Sequence, residues 1–221
     1  MHWTCTALLF DMDGTLVDST AVVERAWGWW AERHNLPLAE VLAFSHGRPT
    51  RGTMEYFLPG IDVRAEAAEM ERYEENQVDG ILAIAGAKDA VLVAEKGAWS
   101  VVTSAQRLLA ERRLASAGLP TPRVLVPVDE IERGKPDPEG YLKAARLLQV
   151  APDQCVVFED TRPGVEAAEV AGMRVIGLLT TFPAETLRCE WVICDCREIR
   201  LEHGTLEQGR AGFEIFTGSL Q

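Results

Sequence analysis

Two carboxylates stand one residue apart in LLFDMDGTLVDST, residues 8–20, where an apolar run stops at Asp11 and Asp13 follows. Acids this close repel, and the pair is stable only around a cation or with a raised pKa. A hard dication such as Mg²⁺ suits carboxylate and backbone oxygens and takes a phosphate oxygen beside its retained waters. Gly14 permits a sharp turn whose N–H groups can face that phosphate. Asp11 could then attack phosphorus, as carboxylate nucleophiles do. Asp13 could protonate the leaving oxygen and afterwards activate water. The competing reading is an exposed Asx-turn, and Asp18 is read as a cap of the next helix or as the hinge into the segment that follows.

Three further polar clusters follow apolar runs. Thr103-Ser104 ends WSVV, and alone it reads as well as a helix cap. Lys135 lies in GKPDP directly before a helix, where an ordinary surface lysine is the competing view. Glu159-Asp160 ends CVVF, where the acids either complete a metal site or cap the helix near Pro163. Ligands of open α/β sheets bind beyond the carboxyl ends of the strands, so this convergence weighs more than any single cluster.

The formal charge of −12 argues against nucleic-acid and anionic-membrane partners, which need a basic patch. It also demands strong local positive charge at any phosphate site, a need that Lys135 meets. With 47% hydrophobic and 25% charged residues the chain is ordinary globular material. Cysteines 5, 155, 189, 194 and 196 form no CxxC pair, and Cys194 and Cys196 are expected in one strand, so reduced thiols are expected. The start, MHWTCTALLF, lacks the cationic region of a secretory leader. No run approaches a membrane span. A cytoplasmic monomer is expected.

Short, nearly continuous apolar runs at 6–10, 99–103, 123–128, 154–159, 174–179 and 191–194 suit strands covered on both faces. Helical spacing fills 107–119, 136–150 and 163–173 between them. The alternation predicts an α/β domain with a doubly wound, Rossmann-like parallel sheet. Residues 19–83 break the alternation with helical patterns and no strand. The expected organisation is a core of 1–17 and 84–221 with a helical cap domain inserted over 18–83. Residues 200–216 are read as a terminal hairpin.

Taken in order, DMDGT, VVTSA, GKPDPEGYLKAA and FEDTRPGVEAAEVAGM resemble the four motifs of the haloacid dehalogenase superfamily, over essentially the whole chain, with the cap placed as in its subfamily I. The resemblance implies a Mg²⁺-dependent phosphatase that works through an aspartyl-phosphate. It makes Asp11 the nucleophile and Asp13 the acid/base. Ser104, or Thr103, holds a phosphoryl oxygen, and Lys135 balances charge. The metal would lie between Asp11, the Asp13 carbonyl and Asp160, with Glu159 nearby. The cap and the stretch around GKPDP are similar to bacterial sugar and hexitol phosphatases and to yeast glycerol-3-phosphate and 2-deoxyglucose-6-phosphate phosphatases. That implies a small phosphorylated sugar or polyol as substrate, faced by His46 and Arg48 in SHGRPTRGT. Arg162 departs from the small residue common at its place.

Three alternatives stand beside this reading. A β-phosphoglucomutase-like isomerase shares the core motifs, but Val23 and HGRPT occupy the places where those enzymes carry a His and a GVxR loop. A phosphoglycolate phosphatase is a neighbouring branch. A non-catalytic interaction protein would keep the fold without turnover.

Overall fold

The computed structural model describes residues 1–45, 50–206 and 209–217. The runs read as strands form one six-stranded sheet in the order β6-β5-β2-β7-β8-β9, every neighbouring pair parallel. Its strands are β2 (Ala7–Phe10), β5 (Ala98–Val102), β6 (Val124–Val126), β7 (Cys155–Glu159), β8 (Arg174–Leu178) and β9 (Trp191–Ile193). Every residue of β2 and β7 is buried, which explains why their sequences are continuous rather than alternating in polarity. The side-chain period of two divides them between the two faces. Ala7, Leu9 and Val157 pack with Tyr141 and Ala144 of α7 (Glu139–Leu148) and with Val165 and Ala168 of α8 (Arg162–Val170). Phe10, on the other face, stacks on Phe158 at 4.8 Å and meets Trp99 edge-on at 6.3 Å. Helices α5 (Ala87–Ala94), α6 (Arg107–Ser116) and the short α9 (Ala184–Leu187) complete the layers.

The expected hairpin at the carboxyl end is the pair β10 (Ile199–Thr205) and β11 (Ala211–Thr217). A strand absent from the sequence reading joins it: β1 (His2–Cys5) pairs with β11, giving an antiparallel sheet in the order β1-β11-β10. HWTC is too short to signal a strand, and its partner lies at the far end of the chain.

The chain divides into two compact units, Met1–Asp18 with Leu82–Gln221, and Ser19–Ile81. The second is helical: α1 (Thr20–Arg33), α2 (Leu38–Ser45), α3 (Thr50–Phe57) and α4 (Val63–Glu74). Its own core gathers Ala26, Trp27, Trp30, Val41, Met54 and Met70. The Glu66 carboxylate accepts from Trp30 Nε1 and His34 Nε2, each at 2.9 Å, which ties α4 to the end of α1.

Four local expectations are corrected. Asp18 does not cap α1, whose N-cap is Ser19; it belongs to β3 (Val17–Asp18). That strand pairs with β4 (Leu82–Ala83), so the interval 19–83 is not free of strands. Cys194 and Cys196 do not share a strand, since β9 ends at Ile193 and Cys196 opens a 3₁₀ turn; both are free thiols. Finally, α7 starts at Glu139 and not at Pro136, because Pro138 disfavours helical backbone in the residue before it. Among the described residues no helix is long and apolar enough to cross a membrane.

Candidate active site

Although β2 comes early in the chain it sits inside the sheet, with β5 and β6 on one side and β7, β8 and β9 on the other. Chain order reverses there, and its carboxyl end is the place where such sheets bind ligands. Asp11 follows β2 directly, its amide donating to Phe158 O at 2.9 Å. The chain then turns tightly. The amides of Leu16 and Val17 both donate to Met12 O at 2.9 Å, and Gly14 N donates to Val17 O at 2.8 Å. Gly14 has φ +84°, and a Cβ there would lie 2.0 Å from Asp160 Oδ2. Glycine is therefore required both by the backbone and by the close approach of the acid.

Carboxylate oxygens of Asp11, Glu159 and Asp160, all buried, lie within 4.8 Å of one another. Lys135 Nζ enters this group, donating to Asp11 Oδ1, to Glu159 Oε1 at 2.6 Å and to Val102 O at 3.2 Å. Burial alone would pull the ammonium down, but Asp11 and Glu159 push its pKa well above the usual value, so it stays charged. Burial raises Asp11 far above the carboxylate range; Lys135 opposes this, while Glu159 and Asp160 add to it. Burial and the neighbouring Glu159 push Asp160 up to about 7. One lysine thus leaves the acids short of positive charge. This donor set, carboxylates without a soft ligand, suits a hard dication.

The three acids differ in their hydrogen bonds. Glu159 Oε1 accepts from Lys135 and from Tyr141 OH at 3.0 Å. Its Oε2 accepts from the amides of Asp160 and Thr161 and from the Thr161 hydroxyl, each at 3.0 Å. Asp160 accepts from Thr15 Oγ1 at 3.3 Å, with the Thr181 hydroxyl close by. Glu159 is thus saturated with donors, whereas Asp11 and Asp160 keep lone pairs for an ion.

The loop that carries Lys135 is stapled at both sides. Glu139 accepts from the amides of Glu132 and Arg133 at 2.9 and 3.0 Å. Arg107 Nη2 reaches Glu130 at 2.6 Å and Leu125 O at 3.1 Å.

Asp13 stands apart from this ring with a cation of its own, as Arg113 Nη1 of α6 donates to its Oδ2 at 2.8 Å. Thr103, at the end of β5, uses its hydroxyl to accept from Ala105 N at 3.1 Å, while the neighbouring Ser104 is exposed. Arg162 is tied down inside its own unit, through Leu187 O at 3.0 Å and Glu169 at 3.2 Å. The helix after Glu159-Asp160 is capped by the Thr161 hydroxyl, which accepts from Gly164 N, and not by either acid. His46 and Arg48 lie outside the described residues.

The ring therefore unites Asp11, Lys135, Glu159 and Asp160. Tyr141, Thr161, Thr181 and Arg113 were not read from the sequence, and Thr15 was read only as part of the first cluster. For Arg113 a signal existed. Buried residues of α6 are 109, 110, 113 and 114, so it is a charge on the apolar stripe.

Comparisons with known proteins agree with this geometry. Residues 5–172 match the family described as haloacid dehalogenase-like hydrolase. The chain is 43% identical over 189 residues to hexitol phosphatase A of Escherichia coli strain K12, covering 83% of this chain and 87% of that protein. It is 36% identical over 204 residues to validoxylamine A 7'-phosphate phosphatase of Streptomyces hygroscopicus subsp. limoneus, covering 88% and 96%. Among solved structures, a HAD hydrolase of family IA, variant 3, from Entamoeba histolytica HM-1:IMSS superposes with a TM-score of 0.78 at 26% identity, over 88% of this chain and 95% of that one.

Proposed function

The chain belongs to the haloacid dehalogenase-like hydrolases, and on that premise we propose that it hydrolyses a small phosphorylated sugar or polyol through an aspartyl-phosphate. The observation that carries the reading is the buried ring at the switch point, where Asp11 and Asp160 face each other and Lys135 holds Asp11 and Glu159. The substrate class follows the hexitol and validoxylamine phosphates named for two relatives.

Asp11 is the nucleophile, its Oδ1 oriented by Lys135. Lys135 also screens the charge of an incoming phosphoryl group from the acids and from the chain's −12 background. Asp13 gives a proton to the departing alcohol and takes one from the attacking water. Glu159 anchors Lys135, its oxygens being engaged by five donors. Thr103 or Ser104 donates to a phosphoryl oxygen. Asp11 and Asp160, with the Asp13 carbonyl, are the groups that would hold Mg²⁺. When bound, the ion supplies the positive charge that keeps these buried carboxylates ionised and offsets the phosphoryl oxygens.

Phosphate release across hexitol, glycerol and sugar phosphates tests the reading. Asp11→Asn should lower turnover at least about a thousandfold with unchanged folding, because an amide replaces the nucleophile at constant shape. EDTA should abolish turnover and Mg²⁺ restore it. Substantial activity in Asp11→Asn would overturn the mechanism. Glucose 1-phosphate isomerised instead of hydrolysed would favour the mutase, and preference for phosphoglycolate would move the substrate to that branch.

A further inference from the structure

We infer that Arg113 is a positioning residue for proton transfer: it clamps Asp13 Oδ2 and leaves Asp13 Oδ1 as the oxygen that exchanges the proton. The inference rests on the acid/base role proposed for Asp13.

Arg113 is 5% exposed and occupies a core-facing position of α6, between Ala110 and Leu114 on the buried stripe. A buried guanidinium is costly unless an anion and hydrogen bonds compensate it. Asp13 is an anion that compensates it, reached across a separation of 100 residues, with Nη1 at 2.8 Å from Oδ2. The other oxygen, Oδ1, is buried and has no hydrogen-bond partner among the described residues. Buried oxygens without donors are rare in native proteins and call for an explanation.

A guanidinium only donates, so the oxygen facing it must accept and cannot carry the carboxyl proton towards it. The clamp therefore favours that proton on Oδ1, the oxygen that faces no donor among the described residues. In the first half-reaction an Asp11 oxygen bonds to phosphorus, the bond from phosphorus to the ester oxygen breaks, and the Oδ1 proton moves to the departing alkoxide, releasing the alcohol. In the second, water attacks phosphorus, its proton goes to Oδ1, and the Asp11–phosphorus bond breaks to release phosphate. Acids one residue apart thus receive separate cations, Lys135 for the nucleophile and Arg113 for the proton carrier.

The test is first-turnover alcohol release by rapid quench on the full chain, using glycerol phosphate, whose alkoxide needs a proton, and p-nitrophenyl phosphate, whose phenolate does not. Arg113→Met should slow release from glycerol phosphate about 30-fold or more, within the range general acids contribute. Nitrophenol should still appear as a burst within about threefold of the wild-type rate, followed by slow turnover because water activation is impaired. KM should stay within about threefold, and Arg113→Lys should recover part of the loss. Equal slowing on both esters in Arg113→Met and Arg113→Lys would make the pair structural and overturn the inference. A rise in KM alone would make Arg113 a phosphate contact, and faster turnover a restraint; either overturns it. Should Arg113→Met fail to fold, Arg113→Lys on the two esters decides alone, since its loss must be larger on glycerol phosphate. Absence of hydrolysis by the wild-type chain would instead overturn the phosphatase reading itself.

Discussion

Gly164→Ala should disable the site from behind. Gly164 is the third residue of α8, and a Cβ there would lie 1.6 Å from Glu159 Oε1, 1.9 Å from its Cδ and 2.4 Å from Oε2. Nothing approaches a real Cβ this closely, so the carboxylate must leave. Side-chain tips often move cheaply, but Glu159 is fully buried and accepts from Lys135, Tyr141, both following amides and the Thr161 hydroxyl. Breaking a buried ion pair on one side costs about 3–5 kcal/mol, while alanine returns at most about 1 kcal/mol of helix propensity. A net loss of about 2–4 kcal/mol translates, for a chain of this size, into a Tm lower by roughly 5–15 °C. Activity should fall about 100-fold, because Lys135 loses the anchor that aims it at Asp11. Thermal unfolding and phosphate release measure both. The sharpest check is a double-mutant cycle. In a Glu159→Ala background the clash is gone, and Gly164→Ala should then cost no more than about 0.5 kcal/mol. A Gly164→Ala protein with Tm within about 1 °C of wild type and activity within about twofold would show that Glu159 does not need this space, as would equal costs in both backgrounds.

Other outcomes follow from the same geometry. Asp160→Asn should weaken Mg²⁺ binding by tenfold or more, read by calorimetry without substrate, since an amide replaces a charged ligand. Gly14→Ala should do the same through Asp160, whose Oδ2 lies 2.0 Å from the added carbon. In the helical unit, Glu66→Ala leaves the indole N–H of fully buried Trp30 without its acceptor and should cost about 1–3 kcal/mol by denaturant unfolding. Burial raises Glu66, but the hydrogen bonds from His34 and Trp30 outweigh it and hold the carboxyl below its ordinary 4.5. The folded protein therefore binds this proton less readily than the unfolded chain. The stability advantage of wild type over Glu66→Gln should be full above the ordinary value and vanish as pH falls through the lowered one. A gap that widened in acid would contradict this.

Much of the core was legible in neighbouring residues. Strands buried on both faces must be continuously apolar, so ALLF, WSVV and CVVFE revealed the central strands and the polar residues that end them. Helical spacing identified α6 and α8 in the same way, and marked 19–83 as helical. Local signals misled where two of them overlapped. Asp18 looks like a cap because a helix follows, yet Ser19 takes that position and Asp18 pairs with Leu82. Cys194 and Cys196 extend an apolar run, yet the chain turns after Ile193.

Periodicity, proline and glycine act between residues a few positions apart, and these local effects suffice for the doubly wound class, the strand ends and the acids standing on them. Which side chains then meet depends on how crossover helices pack against the sheet, and that has no signature in short windows. The fold alone decided that Glu159 turns under α8 to hold Lys135 and Tyr141, that β1 closes onto β11, and that Arg113 reaches Asp13. The opening pair of acids shows the division. Their spacing demanded compensation, and the packing of the crossovers supplies it from two different cations on two different elements.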